Sequence, residues 1–297
     1  MKAATAKSAI GFRNILFATD FSAAAANAIP YVKRIAKHYE ANLLALHVHP
    51  QSVNPLTPPE AWAAEAATAE ARDQEHREVL FHTFKGLPTQ VWIEEGNIVS
   101  NLQKAIEKNN IDLVVIGTRG RTGLGKLLLG SVAEEILRTV TCPVMTVGPY
   151  ADLVRGSDGQ IREILYATDF ASETPTAAAY AVSLAQEFQA RLVLLHVIPK
   201  LEACDLVMAS DVVASSRAML EKLVPVGAED WCKPKYYVEQ GNPAEEILEM
   251  AQLREPDLII LGVRPEQGVP GAATHLPIST AHKVVSHATC PVLTVRS

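Results

Sequence analysis

Five glycines, Gly117, Gly120, Gly123, Gly125 and Gly130, crowd the stretch GTRGRTGLGKLLLGS, residues 117 to 131, with Arg119, Arg121 and Lys126 set among them. The stretch joins an apolar strand pattern, DLVVI at 112–116, to a helical one, VAEEIL at 132–137. A loop of this kind suits an anion. Glycine lets backbone N–H groups approach a ligand with no Cβ in the way, and a helix start adds the positive end of its dipole. Two familiar phosphate loops nevertheless fail. Gly120, four residues, Gly125 and Lys126 are followed by Leu127, where a magnesium-binding hydroxyl is needed. Gly123 and Gly125 are followed by Leu128 where the dinucleotide fingerprint needs its third glycine.

Other residues of interest each have a plain structural reading beside the chemical one. Ser131 can face phosphate at a helix start, yet Ser131-Val132-Ala133-Glu134 also reads as a capping box. Asp20 closes the strand pattern ILFATD and can bind a ligand or cap the next helix. In His47-Val48-His49, alternation puts both imidazoles on one strand face. No third metal ligand is evident, so no metal site is assigned and His47 reads as a packing residue, like His196. Arg119, Arg121 and Lys126 can offset phosphate charge or sit as solvated loop charges.

The elements that position these residues come in two sets. ILFATDF at 15–21 returns as ILYATDF at 164–170, and LLALHV at 43–48 returns as LVLLHV at 192–197. Gly96-Asn97, DLVVIG at 112–117 and TCPV at 141–144 return in the same order as Gly241-Asn242, DLIILG at 257–262 and TCPV at 289–292. Such order implies duplicated domains, 1–150 and 151–297, joined by a polar linker near 149–160. In the first half the patterns predict strands near 14–19, 42–48, 89–93, 112–116 and 143–147. They predict helices near 23–40, 60–84, 98–108 and 131–139. Continuously apolar strands alternating with helices imply an α/β fold with a mostly parallel sheet. The expected arrangement is two doubly wound domains, each a five-stranded sheet of order 3-2-1-4-5. Ligands of such sheets lie where strand order reverses, so the loop after strand 1, with Asp20, and the glycine loop after strand 4 should share a crevice.

Bulk properties exclude several classes. The length, 297 residues, fits roughly two domains. A net charge of -6, with 27 Lys and Arg against 33 Asp and Glu, argues against a general nucleic-acid or anionic-membrane binder. No run of roughly 18 apolar residues predicts a membrane span. The start, MKAATAKSAIGF, lacks the apolar core of a signal peptide. Cys142, Cys204, Cys232 and Cys290 show neither metal spacing nor a disulfide framework, and Cys142 and Cys290 read as small buried residues. A cytoplasmic setting is the expectation.

The spacing Gly117-x2-Gly120-x9-Gly130-Ser131, with Asp20 upstream, resembles the ATP-binding class of the universal stress protein family. The two TCPV segments and GNPAEEIL at 241–248 are similar to that family as well, so the resemblance covers almost the whole chain as a tandem pair. It implies a stress-response protein that binds ATP, with Mg²⁺ as an optional companion, for regulation rather than catalysis. It implies that Asp20 and the backbone near Val48 hold the adenosine part, that Ile116, Gly117 and Thr118 flank the ribose, and that Gly120, Gly130, Ser131 and Val132 take the phosphates. It also implies pairing through the last strands, here the segments near 143–147 and 292–296 within one chain, with a homodimer open.

The second half departs from the pattern. Pro265 stands where Gly120 stood, and Ile278 where Gly130 stood, in a longer loop. Pro265 lacks a donor and has fixed φ, and Ile278 would fill phosphate space. Repeat two is therefore expected to lack this nucleotide site although it keeps Asp169. Two rival functions stay open: a slow ATPase or nucleotidyl transferase, for which the sequence offers few catalytic groups, and a nucleotide-free adaptor.

Overall fold

The computed structural model describes residues 10–49, 59–118, 129–149, 151, 161–172, 174–200, 206–263 and 280–296. The glycine loop from 119 to 128, most of the linker, and the segment of repeat two that holds Pro265 and Ile278 lie outside these residues.

Strands form where apolar residues run without interruption, because helices cover both faces of the sheet. In repeat one they are β1 (Asn14–Ala18), β2 (Asn42–His49), β3 (Thr89–Glu95), β4 (Leu113–Gly117) and β5 (Val144–Val147). In repeat two they are β6 (Glu163–Ala167), β7 (Arg191–Ile198), β8 (Lys235–Gln240), β9 (Leu258–Gly262) and β10 (Val292–Val295). The expected order 3-2-1-4-5 is observed and then mirrored: β3-β2-β1-β4-β5-β10-β9-β6-β7-β8 is one ten-stranded sheet. Every neighbouring pair is parallel except β5 with β10, which run antiparallel with Met145 opposite Leu293. At this seam Thr146 Oγ1 donates to the Val292 carbonyl at 3.2 Å and Thr294 Oγ1 donates to the Val144 carbonyl at 3.1 Å. The seam covers two sheet edges that would otherwise offer unpaired backbone groups.

Helices sort onto the two faces by their apolar stripes. One face carries α2 (Ile29–His38), α3 (Pro59–Thr83), α6 (Thr174–Phe188) and α7 (Leu206–Lys222). The other carries α4 (Ile98–Asn109), α5 (Ser131–Thr139), α8 (Pro243–Arg254) and α9 (Thr280–His287). Each face has a core continuous across both repeats. Phe12 of repeat one, for example, stacks on Tyr180 of repeat two at 6.2 Å.

One expected helix is two. Instead of a helix over 23–40, the chain forms α1 (Ala23–Ala26) and then α2, which opens with Pro30 in its first turn. Proline has no N–H to donate and its ring clashes with the carbonyl four residues back, so a helix running through from Ala23 is broken there. Repeat two has Ala179 at the matching position, and α6 runs unbroken from Thr174.

Candidate functional site

The crevice lies where strand order reverses. β1 pairs with β2 on one side and β4 on the other, so the loops leaving β1 and β4 diverge and open a cavity of about 180 Å³. Asp20, Val48, Ile116, Gly117, Thr118, Gly130, Ser131 and Val132 all line it, together with Leu46, Ile98 and Ala133. Gly120, like Arg119, Arg121 and Lys126, lies outside the described residues.

The floor is apolar because β2 and β4 turn Leu46, Val48 and Ile116 to this face of the sheet. One wall is the turn after β1. Phe21 takes a left-handed backbone, φ 59°, and its N–H donates to Thr19 Oγ1 at 3.0 Å. The Ser22 N–H donates to Asp20 Oδ1 at 2.9 Å, and Ser22 then caps α1 through the Ala25 N–H at 3.1 Å. Asp20 therefore shapes its own turn while lining the cavity. Gly117 is fixed by packing: a Cβ there would stand 2.9 Å from the backbone of Ala24 and Ala25.

The opposite wall is the start of α5. Its cap is Gly130, whose carbonyl accepts the Glu134 N–H at 2.9 Å, and Ser131 is the first helical residue. The capping-box reading of Ser131 and Glu134 is thus corrected: the helix starts one residue earlier than the box requires, and Gly130 has no side chain to cap with. The Gly130 N–H also differs from expectation. It donates to the Thr118 carbonyl at 2.9 Å, closing the loop base. The donors this wall can offer an anion are the backbone N–H groups of Ser131 and Val132, first-turn groups for which a helix supplies no partner.

Repeat two builds a crevice of the same volume, about 180 Å³, from the matching elements. Its turn is a copy: Phe170 is left-handed at φ 58°, and Asp169 Oδ1 accepts the Ala171 N–H at 3.0 Å. The side chains differ. Thr174 and Tyr166 stand where repeat one has Ala25 and Phe17. The Tyr166 hydroxyl donates to the Thr174 carbonyl at 3.2 Å, and Thr174 Oγ1 lies 2.9 Å from Thr168 Oγ1. Burial raises the phenol pKa of Tyr166, which keeps the hydroxyl a donor.

The sequence left one group without a role that the fold reveals. β2 turns His47 and His49 away from the crevice, toward α3, and there they meet His76. Alternation along β2 signals the first two; nothing local signals the third.

A duplicated α/β chain with a cavity at each strand-order reversal is the architecture that the comparisons with known proteins return. The sequence model of the universal stress protein family matches residues 11–148 and again 160–296. The chain belongs to that family. It is 27% identical to a universal stress protein of Mycolicibacterium smegmatis over 95% of this chain and 96% of that one. It is 31% identical to a universal stress protein of Methanocaldococcus jannaschii over 46% of this chain and 82% of that one. Among solved structures, a universal stress protein from Archaeoglobus fulgidus superposes with a TM-score of 0.68 at 22% identity, covering 95% of this chain and 98% of that one. Among the described residues, no helix is long and apolar enough to cross a membrane.

Proposed function

We propose that the first repeat binds an adenine nucleotide, with ATP the leading candidate, and that binding regulates conformation or partner choice in a cytoplasmic stress response. The observation that carries this reading is the convergence of Asp20, Val48, Ile116, Gly117, Thr118, Gly130, Ser131 and Val132 on one cavity. The apolar floor suits a heterocycle. Asp20 accepts hydrogen bonds, and the Ser131 and Val132 N–H groups face a negative ligand with the α5 dipole behind them. In this reading Gly120 completes the phosphate cradle, and Mg²⁺ accompanies the nucleotide without a dedicated protein ligand. Asp20 is the one carboxylate among the described lining residues, which favours binding over hydrolysis, since hydrolysis needs a positioned water or base. A micromolar site in millimolar ATP gains about 4 kcal/mol by linkage, enough to shift a two-state loop.

Calorimetric titration of nucleotide-stripped protein with ATP and Mg²⁺ tests this. The expected result is one site per chain, lost in Gly130→Val with the fold retained. Unchanged affinity in that variant overturns the phosphate assignment, and two sites per chain overturn the expectation that repeat two has lost its own. Steady-state turnover abolished by Asp20→Ala would move the reading to an ATPase.

A further inference from the structure

We propose that His47, His49 and His76 form a binding site for a divalent transition metal of the zinc class, on the face of β2 opposite the crevice. One ring nitrogen of each residue lies within 4.8 Å of those of the other two. Ring centroids are 4.4 Å apart for His47 and His49, 5.1 Å for His47 and His76, and 5.4 Å for His49 and His76. A small inward movement of the rings suffices for three nitrogens to share one ion at about 2.0–2.1 Å each.

The groups behind the rings are those that orient metal-binding histidines. His47 Nδ1 lies 2.7 Å from the Thr19 carbonyl. A carbonyl only accepts, so Nδ1 carries the proton and Nε2, sealed from solvent, keeps its lone pair. His49 Nε2 lies 2.7 Å from Asp73 Oδ1. A proton held there by the carboxylate leaves the lone pair on Nδ1, the carboxylate–histidine arrangement that raises ligand basicity. Asp73 and His76 stand three apart on α3 and so share a helix face. His76 is held by stacking on Phe21, with ring centroids 4.2 Å apart and planes 23° apart. The His49 side chain is 14% exposed, which gives an ion a way in. Three neutral imidazoles with an open fourth position suit Zn²⁺ and its neighbours better than oxygen-seeking Mg²⁺ or Ca²⁺.

Repeat two separates packing from ligation. His196 makes the same contact, Nδ1 to the Thr168 carbonyl at 2.7 Å, so this histidine serves the fold in both halves. Arg77 and Arg217 set the register of α3 and α7, each reaching a carbonyl on the outer strand, Val91 and Tyr236. In that register Ile198, Ser216 and Val213 stand where repeat one has His49, His76 and Asp73. The scaffold needs none of the three.

The test uses metal-stripped full-length protein, titrated with ZnCl₂ by calorimetry and with CoCl₂ by visible absorption. Expected is one ion per chain, with a tetrahedral Co²⁺ spectrum that Zn²⁺ abolishes. His49→Ile and His76→Ser, which copy repeat two and should fold, each remove the site. Asp73→Asn weakens it about 10–100-fold, and His196→Gln leaves it unchanged. Absence of saturable one-to-one binding overturns the proposal. So does binding that survives both His49→Ile and His76→Ser in folded protein, or that is lost in His196→Gln.

Discussion

The two repeats share a backbone and differ in what they place on it. Both turn the chain after the first strand with a left-handed phenylalanine, an aspartate that bonds two residues on, and a histidine anchored to a threonine carbonyl. Both hold the start of the first strand with an aspartate: Asp112 accepts the Arg13 N–H and Asp257 the Arg162 N–H, each at 2.7 Å. These matched groups are what the fold requires. Groups present in one repeat alone are free of that requirement. In repeat one they are Gly130 at the start of α5, where repeat two has Ile278, and the His49, His76 and Asp73 set. In repeat two they are the Tyr166 and Thr174 hydroxyls and a buried ion cluster.

The ion cluster gives the largest expected effect. Glu163 is 2% exposed, with Arg254 at 2.8 and 3.1 Å and Arg191 at 2.8 Å. Repeat one has neutral Asn14 and Asn42 at the positions of Glu163 and Arg191, joined by an amide hydrogen bond of 3.1 Å. Glu163→Ala leaves the largely buried Arg254 guanidinium without its carboxylate, while Arg191 stays in solvent, and should cost about 3 kcal/mol in urea denaturation. Asn14→Ala should cost about 1 kcal/mol. Equal costs would mean that the charged version is no more committed than the amide one.

Gly117 comes next. A Cβ there meets the backbone of Ala24 and Ala25 at 2.9 Å, and backbone cannot step aside as a flexible side chain can. Gly117→Ala should cost about 1–3 kcal/mol. It should push α1, and with it the Asp20 turn, out of the crevice. ATP affinity measured by calorimetry should fall at least about tenfold, a loss of roughly 1.4 kcal/mol. Gly262→Ala, at the matched position, should leave ATP affinity intact. An equal loss of affinity from both would show that the crevices are coupled through the sheet.

Much of this was legible in the sequence because it repeats or has a short period. The duplication follows from matching segments, the α/β class from apolar runs alternating with helices, and the seam from the family resemblance. The crevice follows from topology, since Asp20 follows β1 and Gly117 ends β4, the two strands beside the reversal. What was not legible depends on how elements face one another. His49 and His76 are separated by a stretch of chain, and the rotation of α3 that brings His76 over β2 comes from burying Leu80 and Phe84. The Gly130 N–H was read as an anion donor, yet it closes the loop base on Thr118. No residue type reveals such a backbone choice. The break between α1 and α2 is written in Pro30, inside the single helix expected near 23–40.

The smallest expected effect concerns a feature that the repeats share. Cys142 and Cys290 are the second residues of matching TCPV segments, and Cys290 is 7% exposed. Burial pushes the Cys142 thiol up to about 12. The thiolate is the reactive form, so native Cys142 should react with a maleimide at pH 8 at least about 100-fold more slowly than a free cysteine with its pKa near 8.5. A Cys204→Ser background removes the cysteine that lies outside the described residues. The linkage has a definite sign. The folded thiol keeps its proton while the unfolded one ionises near pH 8.5, so the unfolded state binds fewer protons and stability falls as pH climbs toward 12. Cys142→Ala should flatten that part of the stability curve. Rapid native labelling of Cys142 with Cys290 silent would break the symmetry of the scaffold at the seam, where β5 meets β10.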